Sequence, residues 1–423
     1  MRRFAINLDA LRASRDFRLL ALGQVVSGLG TQAALVAVPY QVFVLTHSAG
    51  LVGLLGAAEL GPMIVVSLLG GAIADRIDRR RLLLAAQLVT ILAAGGLAAI
   101  TFAGRPPVLL VFVLAGVLAG GSSLQLTAQS SMIPGLVGNR LRSALAFNFG
   151  AVQLTGIIGP ALGGLTIAGF GVGAAYAVDV VSCFAMVAAG LAIGPQRPIG
   201  QVGDRDPIFA SIREGLRFVA SNNALLGSFV IDLVAMTFGM PRALFAVLSL
   251  TVYHAGAGGA GLLYASVAAG ATIAALTTGW LEHARRLGRV VVFAVLAWGV
   301  AIAAAGLVDS IWAAAGLLAL AGAADSVSAV CRSTINQTVT PDAMRGRMSS
   351  VFGLVVTGGV RLGDIEAGGV ASLTAARTSV LSGGLACIVG VGLVVLAFPS
   401  LVAYDGGDRP PIEPVPVVEA GTV

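Results

Sequence analysis

The sequence predicts an all-α membrane protein with twelve transmembrane helices, and three observations support that fold class. The first is composition, because 57% of the 423 residues are hydrophobic and only 11% are charged. Charged residues make up about 25% of an ordinary soluble domain, so much of this surface must face lipid rather than water. The other two observations are the long apolar stretches and the distribution of arginine along the chain.

The apolar stretches are long enough to cross a bilayer, which takes about 20 residues. Lipid offers backbone groups no hydrogen-bond partners, so each stretch is predicted to be a helix. The twelve predicted spans are residues 17–45, 50–73, 82–103, 107–132, 142–169, 172–193, 224–253, 258–281, 289–308, 310–333, 348–374 and 378–402.

Arginine, which supplies every basic residue of the chain, is distributed unevenly between the predicted loops. The two termini and the loops that follow even-numbered spans hold 21 arginines, whereas the alternate loops hold only Arg105 and Arg377. Short loops rich in arginine are retained in the cytoplasm. This asymmetry predicts that both termini are cytoplasmic.

An internal repeat divides the chain into two halves of six spans. A shift of 207 residues brings Pro134 onto Pro341 and Arg140 onto Arg347, so polar loop residues align at the same offset as prolines. Five regions follow from this repeat: a cytoplasmic lead-in, a first six-helix bundle, a linker, a pseudo-symmetric second six-helix bundle and a disordered cytoplasmic tail. Their predicted bounds are 1–16, 17–193, 194–223, 224–402 and 403–423, respectively.

The linker contains an amphipathic stretch, Pro207–Val219. A helix over these residues places apolar side chains on one side and charged ones on the other, and such a helix is expected to lie on the inner membrane surface. The apolar side comprises Ile208, Ile212, Leu216 and Val219, and the charged side comprises Arg213, Glu214 and Arg217.

The loop between the second and third spans reads GAIADRIDRRRL, from Gly71 to Leu82. It resembles the signature loop of the major facilitator superfamily, G-x-x-x-D-R-x-G-R-[RK]-[RK], with Asp78 where that pattern usually has glycine. A simple topology signal is the alternative, but a basic loop alone does not need an aspartate and a glycine at this spacing. The resemblance implies a conformational latch between the two halves, made by Gly71, Asp75, Arg76, Arg79 and Arg80.

The fifth span contains a second motif, whose members are Gly159, Pro160, Gly163 and Gly164. Glycines let another helix approach closely, and the proline removes one backbone hydrogen bond. The motif resembles the antiporter motif of superfamily exporters. Ordinary helix packing, without bearing on transport direction, is the alternative reading.

Several shorter segments narrow the resemblance to the enterobactin-exporter branch, which also includes macrolide and multidrug efflux relatives. The residues that carry it include Phe17-Arg18-Leu19-Leu20, Val38-Pro39-Tyr40-Gln41-Val42, Pro341-Asp342-Ala343-Met344-Arg345-Gly346-Arg347 and Arg361-Leu362-Gly363-Asp364-Ile365-Glu366-Ala367-Gly368. The resemblance covers residues 8 to 402 and implies the major facilitator fold of two six-helix bundles.

Ionisable groups inside spans cost about 2.5–3.5 kcal/mol each at mid-helix and are therefore candidates for function. Arg361 and Asp364 are three residues apart and are predicted to pair. Glu366 is about 200° around the helix from Asp364 and needs another partner. In the resembled fold the second and eleventh spans meet, which makes Glu59 a candidate partner for these charges. The full set is Glu59, Asp179, Asp232, Arg242, Asp325, Arg332, Arg361, Asp364 and Glu366.

The resemblance also places the first, fourth, seventh and tenth spans around a substrate cavity. The expected cavity residues are Gln24, Gln32, Gln125, Gln129, Asp232, Asp325 and Arg332. The first span has no acid and the fourth has no arginine, so a coupling proton would have to be carried elsewhere, by Glu59, Asp232, Asp325 or Glu366. Burial favours the neutral form of a carboxylic acid, which lets it load and release a proton. Structural pairing without a transport role is the alternative for Glu59, Asp325, the Arg361–Asp364 pair and Asp179, which is expected near a span end.

The function predicted from these features is secondary active export, by proton antiport, of a siderophore-like or amphipathic drug-like molecule across a bacterial plasma (inner) membrane. A proton-coupled importer and a non-transporting membrane sensor or scaffold are the alternatives. The expected partners are the lipid bilayer, a small-molecule substrate and protons, and the protein is expected to be a monomer. We expect no enzyme activity, cofactor, metal, ATP or nucleic-acid binding, because the chain lacks hydrolase, zinc and P-loop motifs and its three cysteines have unrelated spacings.

Overall fold

A computed structural model describes residues 9–74, 76–104, 106–196, 208–341 and 344–405. Within these ranges the chain forms helices and no β-strand. The helices are α1 (Asp9–Ala13), α2 (Arg15–Thr46), α3 (Ala49–Ala74), α4 (Arg79–Phe102), α5 (Val108–Val137), α6 (Leu141–Phe170), α7 (Val172–Ala192), α8 (Ile208–Ser221), α9 (Asn223–Phe238), α10 (Leu244–Thr251), α11 (Gly256–Thr277), α12 (Leu287–Ala305), α13 (Ile311–Val339), α14 (Arg345–Leu373), α15 (Ala376–Ala397) and α16 (Pro399–Ala403).

Each predicted span except the seventh and the twelfth corresponds to one α-helix, with ends that differ by a few residues. The twelfth, 378–402, covers α15 and most of the short helix α16, which are separated at Phe398. The largest difference is in α13, which continues to Val339, six residues beyond the predicted end at 333. Helix α5 similarly continues to Val137 and ends at Gly138, which has a positive φ of 51°. Both helices extend beyond their apolar stretches, because helical hydrogen bonding continues until a residue with another backbone conformation ends the helix. Hydropathy identifies only the part of the helix that faces lipid.

The seventh predicted span is not one helix, and the prediction of a continuous helix over 224–253 is wrong. It consists of α9 and α10, separated by the segment 239–243. Pro241 lies in this segment, and proline has no N–H and clashes with the preceding turn of a helix. The backbone groups freed by the break find partners, since the Trp298 indole donates to the Gly239 carbonyl at 2.7 Å.

Helix α8 confirms the helix predicted in the linker, and it meets α9 at an angle of 111° across Asn222. Its predicted apolar side is only partly buried. Val219 packs with Met348 and Val351 of α14, whereas Leu216 is 47% exposed. The protein-facing surface of α8 is therefore narrower than its apolar side, which leaves Leu216 for contact with lipid.

The described chain contains nine segments long and apolar enough to cross a membrane, or ten if α8 and α9 form one bent span. One of the nine, Val108–Phe170, holds both α5 and α6. Helices α2 to α7, which we call the first group, pack mainly on one another, as do α9 to α15, the second group. The groups meet chiefly where α3 packs on α14 and α6 packs on α11.

The buried cores differ between the two sides of the molecule. We call the side that carries Arg76, Arg79, Arg80 and Arg140 the basic side, and the opposite side the far side. One core contains residues of both groups, and its first-group members, such as Val42 and Leu97, lie towards the far side. Its second-group members include Phe245 and Leu263 and continue to Leu287 at the start of α12. On the basic side the first group has a separate core, formed by Phe17, Leu20, Leu82, Leu83, Ala128, Met132, Ile133, Ala144 and Met186 among others. The two groups are thus joined at the far side and part towards the basic side.

Candidate functional site

Three charged residues meet where α3 packs on α14, and we call them the interface cluster: Glu59, Arg361 and Asp364. Glu59 and Asp364 are buried, and the Arg361 side chain is 19% exposed. The Arg361 guanidinium Nη1 lies 2.6 Å from Glu59 Oε2 and 3.3 Å from Asp364 Oδ2. The pair predicted from the three-residue spacing of Arg361 and Asp364 is therefore present. The structure also places Glu59, from the other helix group, beside the same arginine. One guanidinium thus bridges two acids on opposite sides of the contact between groups.

Small residues bring the backbones of α3 and α14 close enough for this contact. A Cβ on Gly53 would lie 2.7 Å from the Cα of Gly368, so neither position accommodates a larger residue without separating the helices. These glycines keep α3 and α14 close together near the far side. The interface cluster lies between the same two helices, one helical turn or more closer to the basic side.

The break in the seventh span completes the cluster. The backbone N–H of Ala243 donates to Asp364 Oδ1 at 3.1 Å. This amide lies just before α10, where the first N–H groups of a helix lack partners within it. Pro241 thus has an indirect role, because the break that it marks supplies a donor to a carboxylate of the interface cluster.

A second set of charges is contained within the second helix group, and we call it the α13 cluster. Arg332 Nη1 lies 2.6 Å from Asp232 Oδ1 of α9, and Arg332 Nη2 lies 3.6 Å from Asp325 Oδ1 of its own helix. The Arg332–Asp232 contact is out of line for a hydrogen bond and is therefore mainly coulombic. Arg332 and Asp232 are 2% and 1% exposed, whereas Asp325 is 21% exposed and is the cluster's accessible acid.

Arg242, in the break of the seventh span, lies close enough to interact electrostatically with Asp325 and with Asp364. It therefore lies between the two clusters. The two clusters contain four acids and two arginines, and Arg242 between them is the third arginine of this centre. If every group is ionised, this centre carries one excess negative charge, which a single bound proton or monovalent cation would balance.

A cavity of about 290 Å³ opens among α2, α5 and α6 of the first group. Its lining is mostly apolar, and its polar members include the four glutamines expected there from the resemblance: Gln24, Gln32, Gln125 and Gln129. Its remaining lining includes Thr31 and Thr155. Amide side chains both donate and accept hydrogen bonds, so this wall can bind a neutral polar or amphipathic molecule without requiring a particular charge. Asp232, Asp325 and Arg332, expected in the same cavity, do not line it and lie in the second group.

The glycine and proline motif of α6 lies between two neighbouring helices. A Cβ on Gly163 would lie 2.6 Å from the Cα of Ala33 in α2, and one on Gly164 would lie 2.6 Å from the Ala257 carbonyl oxygen in α11. Gly159 faces α2 and Pro160 faces Gly261 of α11. One side of the motif therefore builds the first group and the other side joins the two groups.

The signature loop is described only in part, because Asp75 lies outside the described residues and the surroundings of Gly71 are likewise undescribed. Asp78 caps α4, accepting from the Arg80 N–H at 2.9 Å and from the Gln196 N–H at 3.2 Å. Asp78, where the family pattern has glycine, thus ties this loop to the end of α7. Arg76 is exposed.

The two next arginines bind backbone carbonyls of their own helix group. Arg79 donates from Nη1 to the Ser131 carbonyl of α5 at 2.8 Å, and Arg80 donates from Nη2 to the Leu191 carbonyl of α7 at 2.9 Å. These bonds fix the loop within the first group. The expected contact of Asp75 with Arg79 and with the start of α14 stays a prediction.

Two acids remain outside the two clusters. Glu366 is half-buried, and no partner for it is seen in the described part of the chain. Asp179 of α7 is fully buried beside Thr31 and Cys183, without an arginine. Sequence reasoning counted Asp179 among the ionisable candidates but not among the possible proton carriers, although its depth can be read from its position eight residues into the 21-residue helix α7. No group of three His, Cys, Asp or Glu side chains placed to hold a metal occurs in the described ranges.

Comparisons with known proteins agree with these features. The family described as transmembrane secretion effector matches residues 8–419. The chain belongs to this family of the major facilitator superfamily. It is 29% identical over 419 residues to the enterobactin exporter EntS of Salmonella typhi, covering 98% of each chain. It is 30% identical over 395 residues to the EntS protein of Citrobacter koseri, covering 92% of this chain and 94% of the relative.

Solved structures show the same fold at low sequence identity. The nucleoside transporter NupG superposes with a TM-score of 0.70 at 12% identity, covering 92% of this chain and 98% of that one. A POT family transporter superposes with a TM-score of 0.70 at 11% identity, covering 92% and 97%. The protein is therefore a multi-pass membrane transporter, and neither its family nor these relatives are enzymes.

Proposed function

We propose that this protein is a secondary active exporter of the bacterial inner membrane, which moves a siderophore-like or amphipathic small molecule outward in exchange for protons. The observation that carries the proposal is that the two helix groups share a core at the far side, whereas the first group has a separate core at the basic side and a cavity with four glutamines among its helices. An alternating-access transporter that is closed to one side has this asymmetry. Family membership and the relatives' names support export rather than uptake.

The proposed topology has twelve spans, with α9 and α10 together forming the seventh. The first and second groups are then the two six-helix bundles, residues 17–193 and 224–402, joined by the linker 194–223. The basic side is cytoplasmic, as are both termini, because arginine-rich short loops are retained there. In this orientation the cavity is open to the cytoplasm, from which an exporter takes its substrate.

The interface cluster is the proposed gate of the far side. Glu59 belongs to one bundle and Arg361 to the other, so their 2.6 Å contact must break when the bundles part on that side. A buried arginine left with fewer partners is unfavourable, and Asp364 keeps Arg361 neutralised while Glu59 moves away. The signature loop, with Gly71 and Asp75, is proposed to make the corresponding latch on the basic side.

Coupling to protons is proposed from the charge balance of the two clusters. With four acids and three arginines, the centre binds one proton without creating an unpaired positive charge. The accessible acid Asp325 and the gate acid Glu59 are the members whose ionisation influences the substrate path. Neither ATP nor a cofactor is needed for this exchange, and one chain contains both bundles, so a monomer suffices.

The proposal is tested in inverted membrane vesicles that contain the protein, whose outer surface is the former cytoplasmic face. Enterobactin and an unrelated amphipathic dye are the two probes. An acidic lumen should drive accumulation of at least one probe, and the lumen should become more alkaline as the probe enters. Accumulation only when the acidic compartment is outside the inverted vesicles would identify a proton-coupled importer. Absence of movement for both probes, with correctly folded protein, would support a non-transporting role.

A further inference from the structure

Asp179 is a buried acid for which the transport scheme described above has no role. It is 0% exposed and lies eight residues into the 21-residue helix α7, where α7 packs on α2. Its Oδ1 lies 3.3 Å from the Thr31 hydroxyl and 3.8 Å from the Cys183 thiol, and its Oδ2 has no partner. An ionised carboxylate is unfavourable in a buried site whose neighbours are all neutral.

The hydrogen bonds around Asp179 fit its neutral form. Thr31 has one hydroxyl proton and two neighbouring acceptors, the Ser27 carbonyl at 3.1 Å and Asp179 Oδ1 at 3.3 Å. If that proton is given to Ser27, the second contact is satisfied only when the acid donates its own proton to the Thr31 oxygen. The arrangement therefore has a place for one additional proton, on Asp179 Oδ1.

No cation compensates Asp179 in the way that arginine compensates the other acids. The helices packed on α7 are α2, α4 and α6, and their charged residues lie at their basic-side starts: Arg15, Asp16, Arg18, Arg79, Arg80, Arg81 and Arg142. Counted along each helix axis, these lie about 20 Å or more from the level of Asp179. The titratable neighbours are Cys183 and Tyr176 of α7, and Tyr40 lies about 14 Å further along α2. The Tyr176 hydroxyl donates to Gln41 at 2.7 Å and faces away.

Thr31 connects this buried acid to the glutamine cavity. The same side chain that touches Asp179 lines the cavity, between Gly28 and Gln32. The cavity and Asp179 are thus separated by one hydroxyl group. A proton can pass from Asp179 Oδ1 to the Thr31 oxygen while the Thr31 hydroxyl proton leaves to the cavity, so the hydroxyl is restored and the acid is left as a carboxylate.

We propose that Asp179 is the proton-carrying residue of this transporter and exchanges its proton with the cavity through the Thr31 hydroxyl. The inference rests on the proposed proton-coupled export and assigns the coupling proton to Asp179 in place of the arginine-paired acids. Glu59 then acts in the gate, and Asp232 and Asp325 neutralise Arg332. Loss of the proton from Asp179 accompanies substrate entry from the basic side, and the acid is loaded again when the cavity opens to the far side.

Infrared spectroscopy of the purified full-length protein in lipid nanodiscs tests the inference without requiring transport. The parent protein should show a protonated carboxylic-acid C=O band that disappears as the pH is raised, and Asp179→Asn should lack it. Asp309→Asn, which removes an exposed acid of the α12–α13 loop, is the matched control and should keep it. A band that persists unchanged in Asp179→Asn would overturn the assignment.

Transport by the same variants separates coupling from substrate handling. Asp179→Asn should retain exchange of labelled for unlabelled enterobactin in proteoliposomes but lose its stimulation by a pH gradient. Thr31→Val should keep the infrared band, but the band should respond more slowly to a pH jump. This result tests the proposed proton path even if Asp179→Asn does not fold. Three results would each overturn the inference. The first is that a pH gradient stimulates transport by Asp179→Asn as strongly as transport by the parent, and the second is that the infrared band of Thr31→Val responds to a pH jump at the parent rate. The third is that a sodium gradient stimulates transport by the parent and that Asp179→Asn abolishes this stimulation. If the parent itself shows no pH stimulation, the proposed coupling fails instead, and the infrared band alone reports on Asp179.

Discussion

At the scale of single residues, the transporter differs from a soluble protein in how its buried charges are arranged. Two arginines, Arg332 and Arg361, each hold two acids, and the acids come from different helices. Breaking a buried pair by removing one partner costs about 3–5 kcal/mol, far more than loss of a surface pair. The clusters therefore respond strongly to single substitutions, and their members respond differently.

Glu59→Gln is expected to slow transport about tenfold or more, since about 1.4 kcal/mol lost from the closed far side corresponds to a factor of ten. Asp364 still neutralises Arg361 in this variant, so the protein should fold and substrate affinity should change little. Initial rates and half-saturation concentrations in inverted vesicles measure the two effects separately. Asp309→Asn removes the exposed pair with Arg377 and should leave both values at parent levels. A parental rate in Glu59→Gln would exclude Glu59 from the gate.

Asp232→Asn should destabilise the protein more than Asp325→Asn, although both acids contact Arg332. Asp232 is 1% exposed and only 2.6 Å from the guanidinium, so its loss leaves a buried arginine with one acid at 3.6 Å. We expect a cost of about 3–5 kcal/mol for Asp232→Asn and less for the partly exposed Asp325. Thermal unfolding of the purified variants in detergent measures the difference. Equal losses would show that Asp325 supports Arg332 as strongly as Asp232 does.

Sequence reasoning finds such charges but only some of their partners. The Arg361–Asp364 pair follows from helix geometry, because residues three apart lie on one face. The bond from Ala243 to Asp364 joins residues 121 positions apart and depends on the break at Pro241, so no local pattern predicts it. Asp179 was a candidate but was not distinguished from the other buried acids, because a sequence shows that an acid lies in a span but not whether a cation lies beside it.

At the scale of helices, close approach decides how the two groups meet. The glycines of α6 and α11 give backbone contact on the far side, at Gly164 and Gly261, where a Cβ on either would lie 3.0 Å from the other's Cα. Closer to the basic side the contact loosens, since a Cβ on Gly156 would meet its nearest neighbour, Ala268, at 3.6 Å. The α6–α11 contact thus tightens from the basic side to the far side.

Gly164→Ala should favour the state in which the far side is open. The added methyl group would lie 2.6 Å from the Ala257 carbonyl oxygen, and relief of such overpacking costs about 1–3 kcal/mol. Gly169→Ala in the same helix is the matched control, because a Cβ there has nothing within 4 Å. The accessibility of a far-side cysteine to a membrane-impermeant reagent should rise in Gly164→Ala and not in Gly169→Ala. Equal accessibility in both would mean that the glycine contact does not hold the far side closed.

The elements themselves are largely predictable from sequence, since hydropathy locates each long helix to within a few residues. The exception is instructive. The stretch 224–253 is largely apolar, with Asp232 and Arg242 as its charged residues, and Pro241 within it allows either a kinked helix or a break. The break is stabilised by tertiary contacts, such as the hydrogen bond from the Trp298 indole to the Gly239 carbonyl. Trp298 lies in another helix, so the local sequence does not reveal this contact.

At the scale of the whole molecule, the arrangement of cores describes one state of a moving protein. The shared far-side core and the separate basic-side core of the first group correspond to bundles that are closed on one side and parted on the other. Sequence predicts the arginine asymmetry and the repeat of two halves, because both are linear patterns. It does not predict which side is closed, since both states of an alternating-access transporter use the same helices and the same residues.

The central claim, that the two helix groups open alternately, is tested most directly by distances between spin labels on the two sides. One pair is His47→Cys with Leu373→Cys on the far side, and the other is Leu145→Cys with Leu276→Cys on the basic side, all at exposed positions. The native cysteines are buried and should not react. Acidification together with substrate should lengthen the far-side distance and shorten the basic-side distance. Two distances that stay constant, or that lengthen together, would contradict alternating access by these groups.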